Sequence, residues 1–221
     1  MIILHHLNNS RSQRILWLLE ELGLEYRIER YQRDKKTMLA PESLKKVHPL
    51  GKSPLLEVDG RILAESGAIV DYLCRVNGGQ AWSVAADDPA YQDYCYWLHF
   101  AEGSMMPPML LKLVLDKIKA NAPLLVLPVA VGIVAKVNKA FVGPNLTNNL
   151  AYVEQQLAGK EWLVGDKPSG ADVQMSFPLE AAVARRLVTD KHPNIQAYVK
   201  RIHARPAYQR ALEKGGEYQY A

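Results

Sequence analysis

The chain contains 221 residues, of which 48% are hydrophobic and 23% charged, and its formal net charge is +4. This length allows one large domain or two small ones, and the scattered basic residues form no stripe with interleaved aromatics, which argues against nucleic-acid binding. Cys74 and Cys95 lie far apart and fit neither a CxxC motif nor a metal-binding spacing, so we expect no metal and a reducing, cytoplasmic setting.

Strands and helices alternate over the first eighty residues. "MIILHHL" predicts a buried strand that leaves no room for a signal peptide, and a helix with an apolar face follows and ends at Gly23. "YRIERY" predicts a second strand, and a short helix is expected around residues 41–47. "PLLEVDGRILA" predicts two strands joined at Asp59-Gly60, and "SGAIVDYLCRV" predicts another helix. A βαβ unit followed by an antiparallel hairpin and a helix is the thioredoxin-like arrangement.

The glycine-, proline- and polar-rich stretch "NGGQAWSVAADDPA" predicts a linker. We therefore predict a thioredoxin-like α/β domain over residues 1–80, a linker over 81–89 and an all-α helical domain over 90–221. Loops are expected at Gly143-Pro144 and at residues 165–168. In "PSGADV" the spacing of Ser169 and Asp172 predicts a capping box, in which the loss of either side chain should cost about 1 kcal/mol.

One apolar stretch, "APLLVLPVAVGIVA" at residues 122–135, is flanked by Lys117, Lys119, Lys136 and Lys139. It is shorter than the roughly 20 residues that span a bilayer, and two prolines interrupt it. We therefore interpret it as a buried helix start or the wall of an apolar pocket, and we expect no membrane partner.

The polar residues around the start of the first helix raise a question of charge. Ser10, Arg11, Ser12 and Arg14 cluster there, although a helix N-terminus already carries partial positive charge and disfavours arginine. This arrangement predicts that a negatively charged group lies close to the two guanidiniums.

Three stretches, "SRSQRILWLLEELGLEY", "HPLGKSPLLEVDGRILAESGAIVDYL" and "PSGADV", together resemble the cytosolic glutathione transferases over nearly the whole chain. The beginning is most similar to bacterial and fungal members that use a hydroxyl near helix 1, because His5, His6 and Leu7 stand where the mammalian classes carry a tyrosine. The resemblance implies a detoxifying enzyme that uses glutathione as co-substrate against hydrophobic electrophiles, that is cytoplasmic, and that forms a homodimer.

Such an enzyme must stabilise the thiolate of glutathione. The thiol has an ordinary pKa of about 8.5, and the enzyme has to lower that pKa by roughly two units, which corresponds to about 2.7 kcal/mol. One hydrogen bond to the charged sulfur contributes about 1.5–3 kcal/mol, and a helix N-terminus adds to it. Ser10 is the first candidate donor, unless it is simply the helix N-cap, and Asn9 is the second. The bound thiolate would then be the negative group that Arg11 and Arg14 predict.

The resemblance also implies where glutathione binds. Ser53, before a cis Pro54, would pair with the peptide backbone, Lys52 would lie near the glycine carboxylate, and Glu65 and Ser66 would hold the γ-glutamyl end. Weaker candidates for flanking contacts are Arg14, Lys36, Leu39 and His48, and candidates for the electrophile pocket in the helical domain are Tyr96, His99, Met105 and Met106.

Two alternatives stay open from the sequence. A glutathione-dependent peroxidase or reductase would share the fold, although no cysteine stands at the start of helix 1 to carry disulfide exchange. A non-catalytic glutathione-binding module is the other, and the intact set of Lys52, Ser53-Pro54 and Glu65-Ser66 argues against it.

Overall fold

The computed structural model of the chain describes residues 1–77 and 81–221. Its first part is a four-stranded mixed sheet in which β1 pairs in parallel with β2 and antiparallel with β3, and β3 pairs antiparallel with β4. The spatial order is β2-β1-β3-β4. The strands are β1 (Ile2–Leu7), β2 (Tyr26–Tyr31), β3 (Leu55–Val58) and β4 (Arg61–Ala64).

The helices of this first part confirm the predicted order of elements. They are α1 (Ser12–Glu21), a short 3₁₀ segment (Glu42–Lys46) and α2 (Ser66–Val76). Two turns follow from local chemistry: Gly23 ends α1 with a φ of 62°, and Asp59 and Gly60 both have positive φ values between β3 and β4, as a tight hairpin turn requires. The thioredoxin-like arrangement is confirmed.

The second part is helical, as predicted. The long helix α7 is buried along nearly all its length and packs against α1, α2 and α3, so it joins the two parts. The predicted boundary at residue 80 lies outside the described residues, and the domain limits stay predictions. The helices are α3 (Tyr91–Phe100), α4 (Met106–Asn121), α5 (Leu127–Val137), α6 (Gly143–Gln156), α7 (Gly170–Ala184), α8 (Pro193–His203) and α9 (Pro206–Gly215).

The loop predicted at Gly143-Pro144 is wrong, whereas the one at residues 165–168 is confirmed. A π-helical segment, Asn138–Val142, connects α5 directly to α6. A Cβ at position 143 would lie 2.8 Å from the carbonyl oxygen of Asn138, so glycine permits this close approach. Pro144 falls in the first turn of α6, where no backbone N–H donor is needed.

The apolar stretch at residues 122–135 is not a buried helix start. Leu124 and Leu125 are 87% and 98% exposed between α4 and α5. We call residues 114–133, the outer part of the α4–α5 hairpin, the hairpin tip. The predicted pocket wall is present, because the hairpin encloses a shallow apolar cavity of about 280 Å³. Its lining residues are Leu115, Ile118, Val126, Val129, Ala130, Ile133 and Val134.

The predicted capping box at the start of α7 is confirmed. The Ser169 hydroxyl accepts the Ala171 N–H at 3.3 Å, and Oδ2 of Asp172 accepts the Ser169 N–H at 2.8 Å. The carboxylate does more than the motif predicts. Its Oδ1 also accepts the Leu163 N–H at 3.0 Å and the Tyr198 hydroxyl at 2.8 Å. Asp172 therefore links three segments of the helical part.

Candidate functional site

Three predicted segments meet at one edge of the sheet. β1 ends where β3 begins and β4 ends, because His5 lies opposite Leu55 and Leu55 opposite Ala64. The loop after β1, the Ser53–Pro54 pair and the start of α2 therefore share this edge. The Ser53 hydroxyl donates to the His5 carbonyl at 3.0 Å. The Ser53–Pro54 bond is cis, which confirms what the resemblance implies.

The Ser10 hydroxyl faces the protein. It donates to the Leu7 carbonyl at 2.7 Å and lies 2.8 Å from the Ser12 hydroxyl, and the side chain is buried. Arg11 occupies the N-cap position of α1, but the Ser10 oxygen accepts the N–H of Ser12, the first residue of that helix, at 3.2 Å. Ser10 therefore also satisfies one free N–H group at the helix start. The hydroxyl hydrogen is thus committed to a backbone acceptor inside the loop.

Ser12 is held from the strand side by His6. The Ser12 hydroxyl lies 2.9 Å from Nδ1 of His6, and both side chains are buried. Burial, helped by the nearby positive charge of Arg30, lowers the pKa of His6 to about 4. The imidazole is therefore neutral in the folded protein at neutral pH.

Acidification should therefore destabilise the fold through His6. As the pH falls from about 6.5 towards 4, the unfolded chain binds a proton that the folded chain does not, and about 3 kcal/mol of stability should be lost from this group. Urea unfolding at a series of pH values measures this, with His6→Asn as the comparison. The variant should lose less stability over this range, and parallel profiles would contradict the assignment.

The Asn9 amide is oriented by a distant part of the chain. Its Oδ1 accepts the backbone N–H of Gln219 at 2.8 Å. A backbone N–H can only donate, so the orientation of the amide is fixed, and Nδ2 carries the hydrogens that another acceptor can receive. Asn9 also has a φ of 49°, an uncommon conformation for a residue other than glycine.

The segment that contacts Asn9 is anchored by two tyrosines. The Tyr218 hydroxyl donates to Oε2 of Glu180 at 2.6 Å, and Arg185 donates to the Tyr220 hydroxyl at 3.1 Å. Sequence reasoning missed this segment. Asn9 and Gln219 are 210 positions apart, and a contact made by a backbone N–H leaves no residue-type signal.

The negative group predicted beside the arginines is Glu102, in the π-helical segment Ala101–Met105. Arg11 donates from Nε to both carboxylate oxygens at 2.9 and 3.0 Å, and Arg14 donates to Oε1. A carboxylate of the protein itself therefore pairs with both guanidiniums, but it offsets only one of their two positive charges. The bound thiolate as a further partner stays a prediction. The sequence hides Glu102 because it lies 88 positions beyond Arg14.

The Arg14 side chain is buried and hydrogen-bonds to several elements of the protein; the sequence predicted it as a flanking contact to glutathione. Besides Glu102, it donates to the Gln174 carbonyl at 2.5 Å and to the Ser66 hydroxyl at 2.6 Å. Burial would by itself raise the pKa of Glu102, but Arg14 and Arg11 outweigh it and hold that pKa below its usual value. The group therefore joins α1, α2, α7 and the segment after α3 through charged hydrogen bonds.

Ser66 is prepared to donate. Its oxygen accepts from Arg14 at 2.6 Å and from Nε2 of Gln174 at 3.4 Å, which leaves the hydroxyl hydrogen for another acceptor. Glu65 precedes it with a φ of 68°, a strained conformation of the kind that occurs at functional sites.

Among the other predicted contacts, Lys36, Leu39, Lys52 and Glu65 are exposed, and Ser53 and His48 are half-buried.

The candidates for the electrophile pocket do not form one group. Tyr96 and His99 line a cavity of about 730 Å³ that Met105 and Met106 do not line. Both methionines are buried. Nearer the loop after β1, the guanidiniums of Arg11 and Arg14 lie over the ring of Phe177 at 5.5 and 5.8 Å.

Neither cysteine of the chain lies at the start of α1. Cys74 is buried in α2, and Cys95 is half-buried in α3. Within residues 1–77 and 81–221, no group of three His, Cys, Asp or Glu side chains is arranged to hold a metal ion.

Comparison with known proteins gives a consistent result. Residues 1–75 match the family model for the glutathione S-transferase N-terminal domain, and residues 139–206 match that for the C-terminal domain. Glutathione S-transferase 1 of Saccharomyces cerevisiae is 36% identical, over 97% of this chain and 95% of the yeast protein. Glutathione S-transferase 3 of Schizosaccharomyces pombe is also 36% identical, over 97% and 88%. A solved glutathione S-transferase from Actinobacillus pleuropneumoniae is 36% identical with a TM-score of 0.79, over 99% and 94%.

Proposed function

The chain belongs to the glutathione S-transferase family and is a glutathione transferase, and from that premise we propose that Asn9 stabilises the glutathione thiolate. The thiol proton leaves to solvent, the sulfur attacks an electrophilic carbon, and the leaving group departs with its bonding electrons. The comparisons favour neither a peroxidase or reductase nor a non-catalytic module.

The observation that carries this proposal is the Asn9–Gln219 contact. With Oδ1 occupied by a backbone donor, Nδ2 is the group that Asn9 offers to a ligand. Ser10, the other candidate, donates its hydrogen to Leu7 and would first have to break that bond. One amide donor to a charged sulfur contributes about 1.5–3 kcal/mol, close to what thiolate formation requires.

We propose that the tripeptide lies along the shared sheet edge. Its γ-glutamyl carboxylate would accept from the Ser66 hydroxyl and from the N-terminal N–H groups of α2, and Glu65 would accept from the ammonium. The backbone of Ser53 would pair with the cysteinyl residue, and Lys52, exposed beside it, would face the glycine carboxylate. We further propose a detoxifying role against hydrophobic electrophiles, a cytoplasmic location and a homodimer.

Substitution of Asn9 tests the proposal directly. The thiolate absorbance of bound glutathione, followed against pH, gives the thiol pKa, and turnover of an aryl halide gives kcat/KM. Asn9→Gly removes the amide while tolerating the positive φ, so backbone strain does not contribute. We expect the thiol pKa to rise by about one to two units and kcat/KM to fall by roughly 10- to 100-fold.

Ser10→Ala is the matched comparison within the same loop. It should leave the thiol pKa nearly unchanged, because the Ser10 hydrogen already serves Leu7. If Ser10→Ala raises the thiol pKa and Asn9→Gly does not, the donor is Ser10 and the assignment to Asn9 is refuted.

A further inference from the structure

The hairpin tip exposes several large apolar side chains to solvent. Leu124 and Leu125 project almost completely into solvent, and Val114 and Ile118 form an exposed stripe on α4. Contiguous exposed apolar surface of this kind marks an interaction site. The tip also falls between the two segments matched by the family models, residues 1–75 and 139–206.

The distribution of apolar residues around α5 indicates what covers it. Two residues turn a helix by about 200°, so Val131 faces away from Val129 and Ile133. All three are exposed, whereas Val134 is the one buried side chain of the helix. A flat protein partner covers one side of a helix, but a helix that is apolar all round belongs in a core or in lipid.

The charged side chains within the hairpin tip and just after it complement an anionic surface. Lys117 and Lys119 precede the turn and Lys136 follows it, and all three are exposed. The one acidic residue nearby, Asp116, is paired with Lys112 at 2.9 Å. Lysines extend their charged ends to the headgroup level while their alkyl stems lie along apolar surface, and each adds attraction to anionic lipid.

The tip is too short to span a bilayer. The helical stretch Leu127–Gln156 is long and apolar enough by length and composition alone, but its second half packs Leu146, Leu150 and Val153 into the core. That leaves the 11 residues of α5, about 16 Å, against a hydrocarbon thickness of about 30 Å. The geometry fits insertion of the tip into one leaflet.

We propose that the hairpin tip docks on the surface of an anionic phospholipid bilayer and inserts Leu124 and Leu125 below the headgroups. The inference stands on the exposure and charge of the tip and does not require the role of Asn9. Hydrophobic electrophiles, the substrate class of the proposed function, partition into the same phase, so docking brings the enzyme to them.

Co-sedimentation with vesicles tests the inference. The whole protein is mixed with vesicles of phosphatidylcholine alone or with added phosphatidylglycerol, and the bound fraction is measured at low and high salt. The wild-type protein should bind the anionic vesicles, and salt should weaken that binding. The double variant Leu124→Glu, Leu125→Glu should bind at least about ten-fold more weakly. Val76→Glu, which places a single carboxylate at an exposed apolar position of α2, should bind like the wild type.

Each other outcome overturns the inference. Absence of binding to anionic vesicles, or equal binding of the double variant, would show that the tip does not dock on lipid. Sedimentation equilibrium addresses the competing occupant. If the double variant breaks up an oligomer that the wild type and Val76→Glu both form, the tip is covered by a second copy of the chain. Circular dichroism and aryl halide turnover verify that the double variant is folded.

Discussion

Replacing Arg14 by Met is expected to lower the free energy of unfolding by about 3–5 kcal/mol. The guanidinium is fully buried and donates to Glu102, Ser66 and the Gln174 carbonyl. Methionine fills similar space but satisfies none of these acceptors. Burial of unpaired polar groups, rather than loss of packing, therefore sets the cost. Urea unfolding followed by far-ultraviolet circular dichroism measures the change.

Arg11→Met is the matched control, because it also removes a guanidinium that is paired with the Glu102 carboxylate. Arg11 and Glu102 are each about one-third exposed, so solvent screens their interaction. We expect a loss of about 1 kcal/mol or less. Equal losses in the two variants would contradict the view that Arg14 is the structural connector and Arg11 a surface partner.

Arg14→Met should also weaken glutathione binding where the variant is still folded. Arg14 and Gln174 both donate to the Ser66 oxygen, which leaves the hydroxyl hydrogen for another acceptor. Without Arg14, the KM for glutathione should rise, whereas the KM for the electrophile should change little.

Asp172→Ala is the second large effect, again about 3–5 kcal/mol. The carboxylate accepts from the backbone N–H groups of Leu163 and Ser169 and from the Tyr198 hydroxyl, and the side chain is completely buried. The Ser169 hydroxyl also donates to Oδ2 at 3.1 Å, so alanine would leave four buried donors without this acceptor. This exceeds the roughly 1 kcal/mol that the capping motif alone predicts. Equilibrium urea unfolding again provides the measurement.

Ser169→Ala separates the cap from the wider network. It removes the hydroxyl that receives the Ala171 N–H but leaves the Asp172 carboxylate with its other donors. A loss of about 1 kcal/mol is expected. If the two variants were equally destabilised, Asp172 would act only as a helix cap, and its contacts to Leu163 and Tyr198 would not contribute to the free energy of unfolding.

Several features of the fold follow from the sequence alone because they are local. The hairpin at Asp59-Gly60, the helix end at Gly23 and the box between Ser169 and Asp172 each depend on residues within four positions of one another. Turns and helix caps of this kind can therefore be predicted from the sequence. The resemblance adds the cis bond at Pro54, which local chemistry does not require.

The tertiary structure decided how those elements are used. Glu102 as the partner of Arg14, and Gln219 as the group that orients Asn9, are contacts across 88 and 210 positions. A charge or amide pattern does not reveal such a partner. The sequence also shows that residues 122–135 are apolar, but not whether other elements cover them. Burial depends on which elements pack together, so only the folded chain shows the tip to be exposed.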